Sequence, residues 1–187
     1  MTFAEAVLPE ARVETNPPLP PVRVVEALEA LAKSALAPTF DGLTNTTEGA
    51  IAAMRQFSIS AGQLEGALGS INAVAGKFAV EASDIITAIQ RTGGVFASAS
   101  KGVSQGTDAL NEFISVFTSV RATSRESAET IATGLRTIFT RLQRQDTIDA
   151  LKAFGVTLTD LEGKFVGPFE AIRQLSGALS GLEQGDI

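Results

Sequence analysis

Ser98-Ala99-Ser100-Lys101 fits S-x-x-K, the spacing at which a lysine amine can take the proton of a serine nucleophile one helical turn away. Two of its four positions are free, and the partner motifs of that enzyme class are absent, so these residues read as small side chains at a helix end. Gly76-Lys77 joins a glycine to a potential phosphate-binding lysine, but it lacks the upstream glycine and the following Ser or Thr of a phosphate loop. Asp146, Asp160 and Glu162 are carboxylates near turns. A calcium loop needs acidic ligands at alternating positions, and Leu161 interrupts the candidate run, so turn chemistry accounts for them. Arg121, Arg125, Arg136, Arg141 and Arg144 could contact phosphates. Glu126 and Glu129 dilute that face and no aromatic residues interleave for base stacking, which leaves a solvated face that compensates helix dipoles. No catalytic, cofactor-binding or metal-binding residue is assigned, and no cofactor is expected. The reading is a non-enzymatic helical scaffold.

Composition supports that exclusion. The 187 residues include no Cys and no His, which removes thiolate nucleophiles, disulfides, the usual general base and the commonest metal ligand. Eleven Phe stand without any Trp or Tyr, so the aromatic side chains carry no polar handle. A net charge of −6 argues against a specific nucleic-acid partner, because phosphate affinity rests on clustered Lys and Arg. No uncharged apolar run reaches the roughly 18 residues of a membrane span. The start, MTFAEAVLPEARVE, lacks the basic and apolar regions of a signal peptide, so the expected place before assembly is the host cytoplasm.

The elements that would position these residues are helices. Residues 1–21 hold five of the seven prolines and read as an extended arm, a linker rather than an SH3-type ligand. Helical spacing then runs from Val22 to Leu36, with Val24, Leu28, Leu31 and Ala35 on one side and Pro38 ending it. A second helix is predicted over Asn45–Phe57, capped by Asn45 and Glu48 and facing inward with Ile51, Met54 and Phe57. Ser60 and Gln63 form a clearer capping box for a helix through Leu64, Leu68, Ile71 and Val74. Gly62 and Gly66 are spaced to let another helix approach, and Gly76 is the predicted stop. A helix carrying Ile85, Ile86 and Ile89 is predicted to end at Gly93-Gly94. VFASASK follows as a short piece, with a stop and a new cap at Gly102-Val103-Ser104.

Leu110, Phe113, Phe117 and Val120 mark the next stripe. A link of about Arg121 to Thr123 leads to a helix capped by Thr123 and Glu126, with its stripe at Ala128, Ile131, Leu135, Ile138 and Leu142. So short a link predicts antiparallel neighbours. Thr147 to Phe154 is helical, Gly155 stops it, and Val156 packs back on Leu151. Val156–Leu158 and Lys164–Val166 could pair about Glu162-Gly163, and Pro168 suits the first turn of a last helix with Ile172, Leu175, Leu179 and Leu182. Phe113, Phe117, Phe139, Phe154, Phe165 and Phe169 are expected in the core. The fold class is all-α, a bundle of short amphipathic helices with at most one β-hairpin near residues 156–166. The expected division is an arm over 1–21, N-terminal helices over 22–58 and a helical domain over 59–187.

Three pieces, INAVAGKFAVEASDIITAIQRTGG, SAETIATGLRTIFTRLQ and ALKAFGVTLTDLEGKFVGPFEAIRQL, occur in an order and spacing that resemble the conserved domain of phage tail tape measure proteins of the TP901-like class. Arg136, Thr137, Ile138, Phe139, Arg141, Leu142 and Gln143 fill the second motif. Phe154, Gly155, Val156, Asp160 and Gly163 fill the turn of the third, with Phe in place of the common Leu. The likeness covers about Gln56 to Leu182.

That resemblance implies a structural role. Members occupy the lumen of the virion tail, set its length during assembly, and leave ahead of the DNA at infection. It implies several copies per tail (a homo-oligomer), with tail tube and tail assembly chaperone proteins as partners. Contact with a membrane would arise only at ejection. A membrane-active segment aiding genome delivery, motivated by the Gly/Ala-rich run from Ala61 to Val80, is the alternative. As one continuous helix, 187 residues would reach only about 280 Å, so a fragment, a prophage remnant or the folded head of a longer ruler is expected.

Overall fold

Small side chains decide how these helices meet. A computed structural model describes residues 21–35, 39–40 and 42–182. It is all-α: α1 (Pro21–Ala35), α2 (Gly42–Phe57), α3 (Leu64–Lys77), α4 (Ala82–Ala88), α5 (Gly94–Ala99), α6 (Gly106–Ser124), α7 (Ala128–Leu142), α8 (Gln145–Lys152) and α9 (Pro168–Leu182). A 3₁₀ turn over Ala61–Gln63 leads into α3, and a π turn over Ile89–Gly93 joins α4 to α5. The α4–π–α5 run is central, with α2 and α7 both packed on its π turn. Residues 1–20 of the predicted arm and Pro38 lie outside the described residues, and the arm's last residue, Pro21, opens α1.

The inward face of α2 shows the rule. Its buried residues are Thr46, Gly49, Ala50, Ala52, Ala53 and Phe57, whereas Ile51, expected inside, is half exposed. The Thr46 hydroxyl satisfies itself on the Gly42 carbonyl at 2.8 Å. Likewise α1 turns Ala27, Ala30 and Leu31 inward and leaves Leu28 exposed; the side chains of Val24 and Ala35 are outside those described. Alanine and glycine at these seams let helix axes come close, and larger apolar residues one position away are left on the rim.

Glycine marks two of the closest contacts. A Cβ on Gly49 would lie 2.7 Å from Ile86 Cγ1, and one on Gly93 would lie 2.9 Å from the Phe57 ring. Gly93-Gly94 therefore do not end a helix. Gly93 holds α-helical angles inside the continuous run because α2 lies against it. Gly62 and Gly66, the expected contact pair, face open space. The contact falls instead on α2 and the α4–π–α5 run. At the same seam the buried Thr92 hydroxyl donates to the Ala132 carbonyl of α7 at 2.6 Å.

The helix boundaries follow capping chemistry, with shifts. Ser60 and Gln63 do form their box, the Gln63 side chain accepting from the Ser60 N–H at 3.2 Å. Asn45 and Glu48 do not cap, since α2 begins three residues earlier at Gly42. Thr123 and Glu126 do not cap either. Thr123 is still inside α6, where its hydroxyl donates to the Ser119 carbonyl, and Arg125 in the left-handed region breaks the helix. Ser127 is the true cap of α7, accepting from the Thr130 N–H at 3.2 Å. Gly76 lies within α3, which stops at Lys77 when Phe78 turns extended. Ser104 is likewise not a cap; Gln105 precedes α6.

The interior divides in two. The larger core runs from Phe40 to Phe139 and includes residues of α2 through α7. The α7 stripe contributes Ala128, Ile131, Ala132, Leu135 and Phe139, with Ile138 outside. A smaller core holds Leu142, Ile148, Val156, Leu158 and Ala171 under α8 and α9. Ile172 touches both. Gly155, at φ +78°, ends α8 with the paired bonds of a Schellman turn: Val156 N–H to the Leu151 carbonyl at 3.2 Å and Gly155 N–H to that of Lys152 at 3.1 Å. The predicted hairpin reduces to one antiparallel bridge, Thr159 with Phe165.

Candidate functional site

The residues that sequence offers for chemistry are placed apart, or are used for structure. Ser98 and Lys101 line a hollow of about 340 Å³ together with Gln56, Ser58 and Ser104, and the bond between them is a backbone one, the Lys101 N–H donating to the Ser98 carbonyl at 3.3 Å. Ser100 is buried at the end of α5. Lys77 closes α3 and sets its ammonium 5.9 Å from the centre of the Phe78 ring. Asp160 spends one carboxylate oxygen on its own turn, accepting from the Glu162 N–H at 3.0 Å and the Lys164 N–H at 2.8 Å. Asp146 accepts from the Thr147 N–H at 2.9 Å and pairs with Arg144 at 3.2 Å. Among the described residues no three acidic side chains gather as a metal site would require.

The arginines are dispersed as well. Arg121 turns inward and pairs with Asp84 at 3.1 Å, each side chain a quarter exposed, tying α6 to α4. Sequence reasoning missed this pair, because nothing in the spacing joins residues 37 apart. Arg125 occupies the left-handed break, and Arg136 and Arg141 remain exposed along α7. They do not form one basic face with Arg121.

Two carboxylates respond to their surroundings. Burial raises Glu112 above its ordinary value, against the lowering effect of the Ser104 hydroxyl beside it. Glu170 is lowered to about 2, first by Arg173, whose guanidinium meets both oxygens at 2.6 Å, and then by Gln174. A depressed folded value means the stabilising contribution is whole above the unfolded value and is lost as pH falls from about 4.5 toward 2. Because Arg173 is solvent-exposed, screening keeps that contribution small. In Arg173→Gln the Glu170 carboxyl is expected to titrate closer to its ordinary value; an unchanged carboxyl resonance titration by NMR would contradict this assignment.

What the fold does present is apolar surface. Phe154, expected in the core, is 73% exposed, and Leu179 is 61% exposed. Both line a groove of about 560 Å³ between α8 and α9, walled by Leu151, Val156, Leu175 and Ala178. The signal was available in the sequence: the residue just before a C′ glycine lies past the helical stripe and faces outward. Phe169 is also partly exposed. The run from Ala61 to Val80 differs, sending Leu64, Ala67, Leu68 and Ile71 into the core. Among the described residues no helix is long and apolar enough to cross a membrane.

The molecule is thus a set of packed helices whose candidate acidic groups serve turns and ion pairs, with an apolar groove open between α8 and α9. No solved structure matches the chain. The family of phage-related minor tail proteins matches residues 20–186, a span that takes in every described helix from α1 to α9. On that match the chain belongs to the phage-related minor tail protein family, with a structural role in a phage tail.

Proposed function

We propose that this chain is the folded module of a tape measure protein, acting without catalysis in tail assembly and tail-length determination. The observation that carries the reading is the order of three motifs, which fall on α3 to α5, on α7 and on α8 to α9. The third motif has a physical basis in the fold. Its glycine is the left-handed stop of α8, and its Asp160 and Gly163 build the turn that brings Leu158 back to the Val166 N–H at 3.0 Å. In this reading the chain lies in the tail lumen and meets tube and tail assembly chaperone proteins, in several copies.

The longest helix among the described residues, α6, has 19 residues and spans about 28 Å. Packed helices of this length anchor and organise; the extended reach of a ruler is a separate task. The proposed division keeps an arm over 1–21, N-terminal helices over 22–58 and the tape-measure-like domain over 59–187. The boundary near 59 is one of resemblance, since α2 packs into the same core as α3 to α7. Electron microscopy of particles from a phage carrying an in-frame deletion of α3–α9 tests the function. Missing tails or tails of altered length are expected, and normal tails of unchanged length would overturn it. No observation favours the membrane-active alternative, because Leu64, Ala67, Leu68, Ile71 and Val80 of the run it would use are buried in the core.

A further inference from the structure

We propose that the hollow between the end of α3, the link to α4 and the last turn of α6 binds an extended polypeptide segment carrying a carboxylate two positions from an apolar side chain. The hollow measures about 490 Å³. Its chemistry begins with Arg121. The guanidinium donates from Nε to Asp84 Oδ2 at 3.1 Å, and among the described residues neither Nη group has a partner. Asp84 therefore fixes the guanidinium plane, and the free end stays open to solvent. A planar fork held in this way is suited to a carboxylate, which it can meet with two parallel N–H bonds.

The chain beside Arg121 argues for a polypeptide. Residues 78–81 link α3 to α4, and both Phe78 and Glu81 hold extended backbone angles. The Val80 N–H turns back on the Phe78 carbonyl at 2.8 Å, which leaves Ala79 at the apex of the link. Among the described residues the N–H groups of Ala79 and Glu81 make no hydrogen bond, so both are free to donate to an incoming carbonyl. Phe78 supplies the apolar wall, 47% exposed, next to Ala75 and the buried Val80. Side chains at i and i+2 share a face in an extended segment. One face of the occupant can thus set a carboxylate on Arg121 and an apolar group on Phe78.

Charge sets the selectivity. Glu81 lines the same hollow and pairs with no cation among the described residues. It repels a second acid, so the occupant carries a single carboxylate and not an acidic run. The net charge of −6 acts on an anion from a distance, and physiological salt screens exposed charges beyond about 8 Å. The contact with Arg121 is direct and is screened less. With so small a surface the binding is weak, with a Kd on the order of 0.1–1 mM.

The test is an NMR titration of the full chain with acetyl-Leu-Ala-Glu-Ala-Leu-amide, up to about 5 mM. In this peptide the acid has an apolar neighbour at the required spacing on either side. Saturable shifts are expected at the Ala79 and Glu81 backbone amides and at the Arg121 Nε–H. The same peptide with Gln in place of Glu is expected to bind about tenfold more weakly, having lost the charge-assisted fork. Arg121→Lys keeps a cation beside Asp84 but not the planar fork, and about a fivefold loss is expected. The Glu81 side chain caps nothing in α4, so Glu81→Gln leaves the fold intact and is expected to strengthen binding about twofold. An absence of shifts, equal affinity for the Gln peptide, or unchanged affinity in either variant would overturn the proposal. The same shifts from sodium acetate alone would also overturn it, by reducing the site to a bare anion contact. Shifts centred on Phe154 and Leu179 would overturn it in favour of the α8–α9 groove. None of these outcomes depends on tail length, so this proposal and the tape measure reading can fail separately.

Discussion

Phe96→Ala is expected to destabilise the protein by about 3–5 kcal/mol, the range for deleting a fully buried ring. Phe96 is 0% exposed and stands between two other rings, edge-on to Phe113 at 5.5 Å and to Phe139 at 5.0 Å. Phe113 continues to Phe57 at 6.0 Å. The four rings come from α5, α6, α7 and α2, and a cavity at Phe96 removes ring contacts from α6 and α7 at once. None of the rings has a hydroxyl or indole N–H to satisfy, and the loss is one of transfer and packing alone. Against a total stability on the order of 5–15 kcal/mol, this is a large share. Urea denaturation followed by far-ultraviolet circular dichroism measures it. A loss under about 1 kcal/mol would mean that the neighbours collapse into the hole and that the ring chain does not organise the core.

Gly49→Ala is expected to cost about 1–3 kcal/mol, although alanine is the better helix former. The added methyl would sit 2.7 Å from Ile86 Cγ1 and 2.8 Å from Cδ1, and Ile86 is itself buried at the seam. If the clash is the cause, removing its other half must relieve it. Gly49→Ala in an Ile86→Ala background should cost less than it does alone, with a coupling of about 0.5–3 kcal/mol. Gly66→Ala is the internal control. It lies in α3 with nothing within 4 Å of the added carbon, so about 0.5–1 kcal/mol of stabilisation is expected. Equal effects at Gly49 and Gly66 would show that intrinsic helix preference, and not the α2–α4 approach, controls both sites.

These two variants also show where sequence was legible. Periodicity identified the helical segments, and motifs made of local bonds were read correctly: the Ser60–Gln63 box, the Gly155 stop with Val156 folded back, and Pro168 opening α9. Each is set within six residues, so spacing contains the information. The facing of helices was harder. Large apolar residues at helical spacing predict the inner stripe, yet α1 and α2 pack through Ala30, Ala50 and Ala53, and α7 turns Phe139 inward and leaves Ile138 outside. When both sides of a helix carry apolar residues, the partner's shape decides, and that shape lies elsewhere in the chain. The same limit hid the Arg121–Asp84 pair and the seam at Gly93. The solvated arginines of α7 were legible and the apolar surface was not: hydrophobicity alone does not distinguish a core ring from one beyond a helix end, such as Phe154.

The two-part interior also implies an order of events under strain. Among the described residues, a core of five buried side chains under α8 and α9 is joined to a far larger one through Ile172 and the end of α7. Local opening free energy follows the contacts a segment would lose, so the C-terminal helices can detach while the ring-centred body stays closed. A pull on the carboxyl end would then meet resistance in two stages, first a shallow one as α9 and α8 peel away, then a steep one at the phenylalanine chain. The chain thus has a built-in direction of unravelling under load, from its carboxyl-terminal helices inward.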